Sequence, residues 1–330
     1  MKYQSVLSQA PLRISFIGGG TDINYFYRKS LGKVVSAAIN KYVYVHIKKH
    51  DSLFQEKYRI SYSEVEHTQS RAEIKNLIIK SSLEFLNIDE PLQISTSADL
   101  PTSSGLGSSS SFTVALLLAL HQMCGESVSQ AQLAEEAAHI EISILKSPIG
   151  KQDQYAAAFG GLNYYEFSSD DSVKIQPLLV AKSQNDFLLS NSLLLWTGHS
   201  RSATTVLQDQ EKNYNSNEAN LIYLTKLVDQ FKLAFLDKDS ELANLGKIIT
   251  SGWEVKMSLS NLISTPQIEE IISELKVQNC LGYKVLGAGG GGFVYALFDG
   301  ASEKYISNFP SISSFCPKLD NLGARVLSSN

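Results

Sequence analysis

Cysteine is scarce: Cys124, Cys280 and Cys316 stand far apart and make no C-x-x-C pair. Neither a disulfide framework nor a zinc site follows from them, and a reducing compartment is expected. Long apolar runs are missing too. The longest, at 112–120, falls well short of the roughly 20 residues that a membrane span requires. Excess positive charge is absent, since 29 Lys and Arg face 33 Asp and Glu for a net charge of −4. That balance gives no electrostatic footprint for nucleic acid or an anionic membrane. The opening residues, MKYQSVLSQAPLRIS, lack the basic-then-apolar order of a secretion signal, and no internal repeat or low-complexity tract is visible. What is present is a core: 43% of the 330 residues are hydrophobic and 19% charged, enough for two domains of ordinary size. The expectation is a soluble cytoplasmic enzyme without nucleic-acid or membrane partners; whether it pairs into a homodimer is left open.

The punctuation comes from glycines and short polar clusters. Residues 12–17 read as a strand running into a glycine triplet. In 34–48, Val43, Val45 and Ile47 alternate with Tyr42, Tyr44 and His46, which predicts a half-buried strand. Helical periodicity covers 71–86, and 92–97 reads as a short strand. A helix is predicted from the serines at 108–111 to Cys124, with Gly125 placed to stop it. Another starts at Ser129, with Gln132 three residues on, and ends before Pro148. Strands at 162–167 and 187–196 bracket the polar stretch 168–171, where a domain change is expected. Helices at 218–236, 240–259 and 267–277 and strands at 283–286 and 293–298 follow. The order lacks a strict βαβ rhythm, so the fold class is α+β, with domains at 1–175 and 176–330.

The strongest chemical signal is LPTSSGLGSSSS at 100–111, lying between a strand and a helix. Glycines let the backbone turn N–H groups towards one point, the helix start adds positive dipole, and serine hydroxyls can meet phosphate oxygens or Mg²⁺. A flexible loop with serine caps is the alternative. It is not a Walker A loop, because no G-x-x-x-x-G-K-[ST] occurs. The cluster GAGGGG at 287–292 formally matches G-x-G-x-x-G, yet a strand rather than a helix follows it. A tight turn approaching a ligand or the other glycine loop fits better, with Gly289 and Gly290 on the substrate side. A third cluster, at 18–20, ends in Thr21 and Asp22, side chains suited to sugar hydroxyls.

Glu141 falls on one helical face with Ala134, Ala138 and Leu145. An inward carboxylate needs a cation, either an arginine in a structural ion pair or Mg²⁺. His139 falls on the opposite face and is given no role. Asp153, in the loop GKQDQ, reads by itself as a cap or turn residue.

Taken in order, APLRISFIGGGTD at 10–22, PTSSGLGSS at 101–109 and KVLGAGGGGF at 284–293 resemble the three motifs of the GHMP kinases, and the resemblance spans the chain. It implies a ribosomal-protein-like N-terminal ATP-binding domain and a ferredoxin-like C-terminal domain with the active site between them. By position, Pro101, Ser104, Gly105, Leu106, Gly107, Ser108, Ser109 and Ser110 would wrap the ATP phosphates. Ser109 and Glu141 would hold Mg²⁺, Asp153 would face the sugar hydroxyl, and Arg13 would stand beside it. Gly19, Gly20, Thr21 and Asp22 would bind sugar. GGGTD, GKQDQYA and WTGHSRSA look most like the bacterial D-glycero-D-manno-heptose 7-phosphate kinases, with fucokinase domains sharing several features. That resemblance implies C1 phosphorylation of heptose 7-phosphate on the way to nucleotide-activated heptose and surface polysaccharide. A C1 kinase of an unphosphorylated sugar or a non-catalytic sensor are the alternatives. Ser200, Arg201 and Ser202 are the candidates for the sugar-phosphate site, and the stretch 58–66 for adenine.

Overall fold

The computed structural model describes residues 1–51, 53–178, 188–200 and 203–330. Two sheets carry the fold. The larger has the order β12-β1-β2-β5-β3-β4, with β6 and β7 branching from β2. Its spine is β1 (Ser5–Ile17) against β2 (Gly32–Lys49), antiparallel almost throughout. As the alternation predicts, Val43, Val45 and Ile47 are buried while Tyr42 and Tyr44 are only partly covered and His46 is exposed. The short strands β3 (Tyr58–Ser61) and β4 (Val65–Thr68) lie at the edge beyond β5 (Leu92–Ala98). The smaller antiparallel sheet has the order β11-β8-β10-β9, from β8 (Ser192–Trp196), β9 (Gly282–Val285), β10 (Phe293–Leu297) and the short β11 (Ser314–Phe315). The architecture is α+β, as expected.

Helix α1 (Asn24–Tyr27) follows the first glycine cluster. The expected helix over 71–86 is broken. A 3₁₀ turn, Arg71–Glu73, precedes α2 (Leu77–Phe85). Glu66 accepts from the N–H groups of Lys75 and Asn76, and Asn76 caps α2 by accepting from Ile79. Helix α3 (Ser108–Cys124) ends at Gly125 in the left-handed region, as predicted. Ser129 caps α4 (Gln130–Ala138) by accepting from Gln132 N. The chain then widens into a π-helical turn, His139–Ile144, before α5 (Gln152–Phe159).

The polar stretch 168–171 is a hairpin turn, not a domain change. Asp170 accepts from Ser172, and the chain reverses from β6 (Leu162–Phe167) into β7 (Val173–Pro177) within one sheet. β7 stays paired with β6 as far as Pro177. Residues 188–190 are helical, so β8 is shorter than expected and Phe187 lies outside the described residues. Helix α6 (Ala203–Lys212) was not foreseen; α7 (Tyr214–Leu236), α8 (Leu242–Met257) and α9 (Pro266–Val277) were. Finally β12 (Arg325–Ser329) returns to pair with β1. No helix among the described residues is long and apolar enough to cross a membrane.

The two sheets share a core. Leu12, Ile14 and Phe16 of β1 pack with Leu194, Tyr295 and Leu297 of the smaller sheet and with Phe231 of α7. Phe16 stacks on Phe231 at 5.9 Å and meets Tyr295 edge-on at 5.5 Å. Phe231 is fully buried, so Phe231→Ala is expected to cost about 3–5 kcal/mol in urea unfolding. A loss below about 1 kcal/mol would show that the halves do not depend on this contact.

Candidate active site

A cleft of about 310 Å³ opens where the sheets meet, lined by parts of all three glycine clusters. At its centre lies Arg13, carried by β1 with only 5% of its side chain exposed. Its Nε donates to Asp153 Oδ1 at 2.7 Å and its Nη2 to Oδ2 at 2.8 Å, while Nη1 donates to the Gly105 carbonyl at 2.6 Å. A forked guanidinium on a carboxylate is a strong and orienting pair. Asp153 sits in the first turn of α5 and keeps 22% of its side chain exposed, facing the cleft.

The loop over 100–107 leads into α3, whose first turn holds Ser108, Ser109 and Ser110, all lining the cleft. Gly107, before the first turn, has φ 77°, and a Cβ there would lie 3.1 Å from Asp153 Oδ2. The third glycine cluster closes over this loop. A Cβ on Gly105 would meet Leu286 O at 2.5 Å, one on Gly287 would meet Gly105 Cα at 2.6 Å, and Phe293 N donates to Ser104 O at 3.1 Å. Two backbones pack directly here, which explains the run of glycines.

Glu141 is 2% exposed and, as the sequence implies, faces inward, although it lies in the π-helical turn rather than in a regular helix. Among the described residues it meets no arginine. Ser109 Oγ donates to its Oε1 at 2.9 Å and Gln154 Nε2 to its Oε2 at 2.6 Å. Burial pushes its carboxyl above the usual range, and the donors from Gln154, Ser110 and Ser109 oppose that shift. Among the described residues no cluster of three or more His, Cys, Asp or Glu could hold a metal. One carboxylate beside one hydroxyl fits a cation that brings most of its shell as water and phosphate oxygens, as Mg²⁺ does, and does not fit zinc.

Not all expected residues meet in the cleft. Arg13, Gly19, Gly20, Asp22, Gly105, Gly107, Ser108, Ser109, Ser110, Glu141, Asp153 and Gly289 line it. Thr21 does not: its hydroxyl donates to the carbonyls of Gly18 and Lys33 and locks the turn. Asp22 is buried, accepting from Gly20 N, Gln152 N and Gln152 Nε2, and burial raises its pKa. Leu106 is a core residue and Ser104 is buried beneath the loop, while Pro101 is exposed. Gly290 is spent on a backbone bond to Ile263 O. Ser200 is exposed and away from the cleft lining. Arg201 and Ser202 lie outside the described residues. The stretch 58–66 forms the β3–β4 hairpin, with Tyr58 and Ile60 in the core and none of it lining this cleft. His139 is exposed, as expected.

Among the lining residues given no role from the sequence are Gln152, Gln210, Lys256 and Lys284. The ammonium of Lys284 donates to the carbonyls of Ser15 (2.7 Å) and Phe16 (3.1 Å). Lys256 donates to the Gly287 carbonyl. A signal existed for Lys284, a lone charge among apolar neighbours in YKVLG.

Two family models match the chain: GHMP kinases N terminal domain over 74–161 and GHMP kinases C terminal over 233–310. The D-glycero-alpha-D-manno-heptose 7-phosphate kinase of Campylobacter jejuni is 28% identical over 312 residues, 92% of this chain and 91% of its own. The L-fucokinase/L-fucose-1-P guanylyltransferase of Bacteroides fragilis is 26% identical over 65% of this chain and 24% of its own. Among solved structures, a D-glycero-D-manno-heptose 1-phosphate kinase from Bacteroides thetaiotaomicron superimposes with a TM-score of 0.77 at 24% identity, covering 98% of this chain and 99% of that one.

The closure of one glycine loop on the other can be measured. Gly300 has φ 105° with nothing near a Cβ, whereas Gly287 combines φ 72° with the contact to Gly105. Gly287→Ala is expected to destabilise by about 2 kcal/mol or more, and Gly300→Ala by the smaller cost of the left-handed backbone alone. Equal losses in urea unfolding would mean that the loops are free to part.

Proposed function

The chain belongs to the GHMP kinase family, and from that premise we propose that it is an ATP-dependent sugar kinase phosphorylating the anomeric C1 hydroxyl of a heptose 7-phosphate. The carrying observation is the Arg13–Asp153 pair set against the start of α3. Backbone N–H groups and serine hydroxyls of the first turn of α3 would receive the nucleotide phosphates, aided by the helix dipole. Ser109 and Glu141 would hold Mg²⁺, which when bound supplies neutralising charge on the phosphate oxygens. Asp153, oriented by both Arg13 bonds, would accept or steer the proton of the attacking hydroxyl. Arg13 would add positive charge beside the transferring group.

The sugar is argued from similarity, namely the heptose 7-phosphate kinase that aligns along nearly the whole chain. The fucokinase match favours a second reading, an unphosphorylated sugar as acceptor. Such a reaction places the protein in the cytoplasm, where ATP is supplied.

ADP release with ATP and Mg²⁺ across heptose 7-phosphate, free heptose, mannose, fucose and galactose separates the two. Preference for heptose 7-phosphate is expected; turnover of free sugars alone would replace it with the second reading. Asp153→Asn should lower kcat by at least roughly a hundredfold, the scale of a lost general base. Near-normal turnover in that variant would remove the role of Asp153.

A further inference from the structure

Among the described residues three cations line the cleft, and two are spent within the protein. Arg13 is committed to Asp153 and Gly105; Lys284 is committed to two carbonyls of β1. Lys256, near the end of α8, is 8% exposed and makes one hydrogen bond, to the neutral Gly287 carbonyl. An ammonium has three donors. Burying it against a single dipole is costly unless an anion completes its shell. A second donor lines the same cleft without an acceptor: Gln210 on α6 is 3% exposed and its Nε2 has no partner. Its neighbour Asp209 accepts from Ser260 Oγ in the turn after α8, which ties the two helices together. This wall offers donors and wants an acceptor.

We propose that Lys256 is a phosphate-binding cation of the cleft, taking an oxygen of either the transferring phosphoryl group or a phosphate carried by the sugar. The identity of that phosphate rests on the sugar-kinase reading; the binding of a phosphate oxyanion does not. The charges acting on Lys256 are Arg13 from β1, Asp22 beyond it, Asp153 from α5 and Lys284 from β9. Burial first, and Arg13 second, bring the Lys256 ammonium down to about 8. Only the protonated form attracts the anion, so phosphate affinity falls as pH rises through about 8. A phosphomonoester's second ionisation, near 6, lies below that window, whereas that of inorganic phosphate lies higher, within it, and strengthens binding as pH rises.

The test is inorganic phosphate titrated by calorimetry into the ADP-saturated protein at pH 7, with nucleotide filling the serine loop. Lys256→Met should bind phosphate at least roughly tenfold more weakly, the scale of one charge-assisted hydrogen bond, and Lys256→Arg should retain it. Equal affinity in wild type and Lys256→Met overturns the inference. Should Lys256→Met fail to fold, Lys256→Gln keeps a donor for the Gly287 carbonyl without the charge, and undiminished phosphate affinity in that variant overturns the inference as well. Steady-state arms then assign the phosphate. A KM increase confined to phosphorylated sugar assigns it to the acceptor, and a kcat loss shared by every sugar assigns it to the transferring group. A protein that turns over no sugar yet shows Lys256-dependent phosphate binding would sink the sugar-kinase reading and leave this inference standing.

Discussion

Arg13 donates to both oxygens of Asp153 and to the carbonyl of Gly105, and its planar fork leaves none of the three partners free to turn alone. The guanidinium is nearly sealed from water, where losing a partner strands a charge. Its own position is set by β1, whose backbone is paired with β2 along most of its length and whose Arg13 N–H donates to the Leu106 carbonyl. One strand thus references the first turn of α5 and the loop before α3 to a common origin. Without that fixed geometry, a carboxylate beside a glycine loop would be an ordinary turn.

The second half of the chain completes the arrangement through backbone contacts and one long side chain. Gly287 lies against Gly105, Phe293 N reaches Ser104 O, and Lys284 bridges back to the carbonyls of Ser15 and Phe16. Beneath them Phe16, Phe231 and Tyr295 make a single aromatic core. Contacts so short tolerate no relative sliding. The cleft therefore exists only when both sheets are in place, and the return of β12 to β1 reinforces the same seam.

Local signals were legible where one residue type decides the conformation. Gly125 stopped α3 and Ser129 capped α4 as their chemistry requires, and the inward Glu141 was visible from the apolar neighbours on its face. Long-range decisions were not legible. The helix over 71–86 breaks because a glutamate on another strand, Glu66, takes two of its N–H groups. The polar run at 168–171 resembled a linker because a hairpin turn uses the same residues. Thr21 carries sugar-binding chemistry but is occupied by its own turn. Lys256 and Lys284 were given no role because only the tertiary fold shows which carbonyls they meet and which demands remain.

Those remaining demands are informative when the charges of the cleft are paired off. Asp153 is matched by Arg13. Asp22 is satisfied by neutral N–H donors, and Lys284 by carbonyls. Two groups stay incompletely met. Glu141 is a buried carboxylate held by two serine hydroxyls and an amide, none of them charged, and Lys256 is a buried ammonium held by one carbonyl. One wants a cation and the other an anion. A phosphate ligand bearing its own divalent cation answers both demands at once, whereas either ion alone leaves an uncompensated charge in a poorly solvated cleft. On the proposed reading the side chains would prefer the paired ligand over its components, which is the selectivity that a phosphoryl-transfer site needs before any chemistry begins.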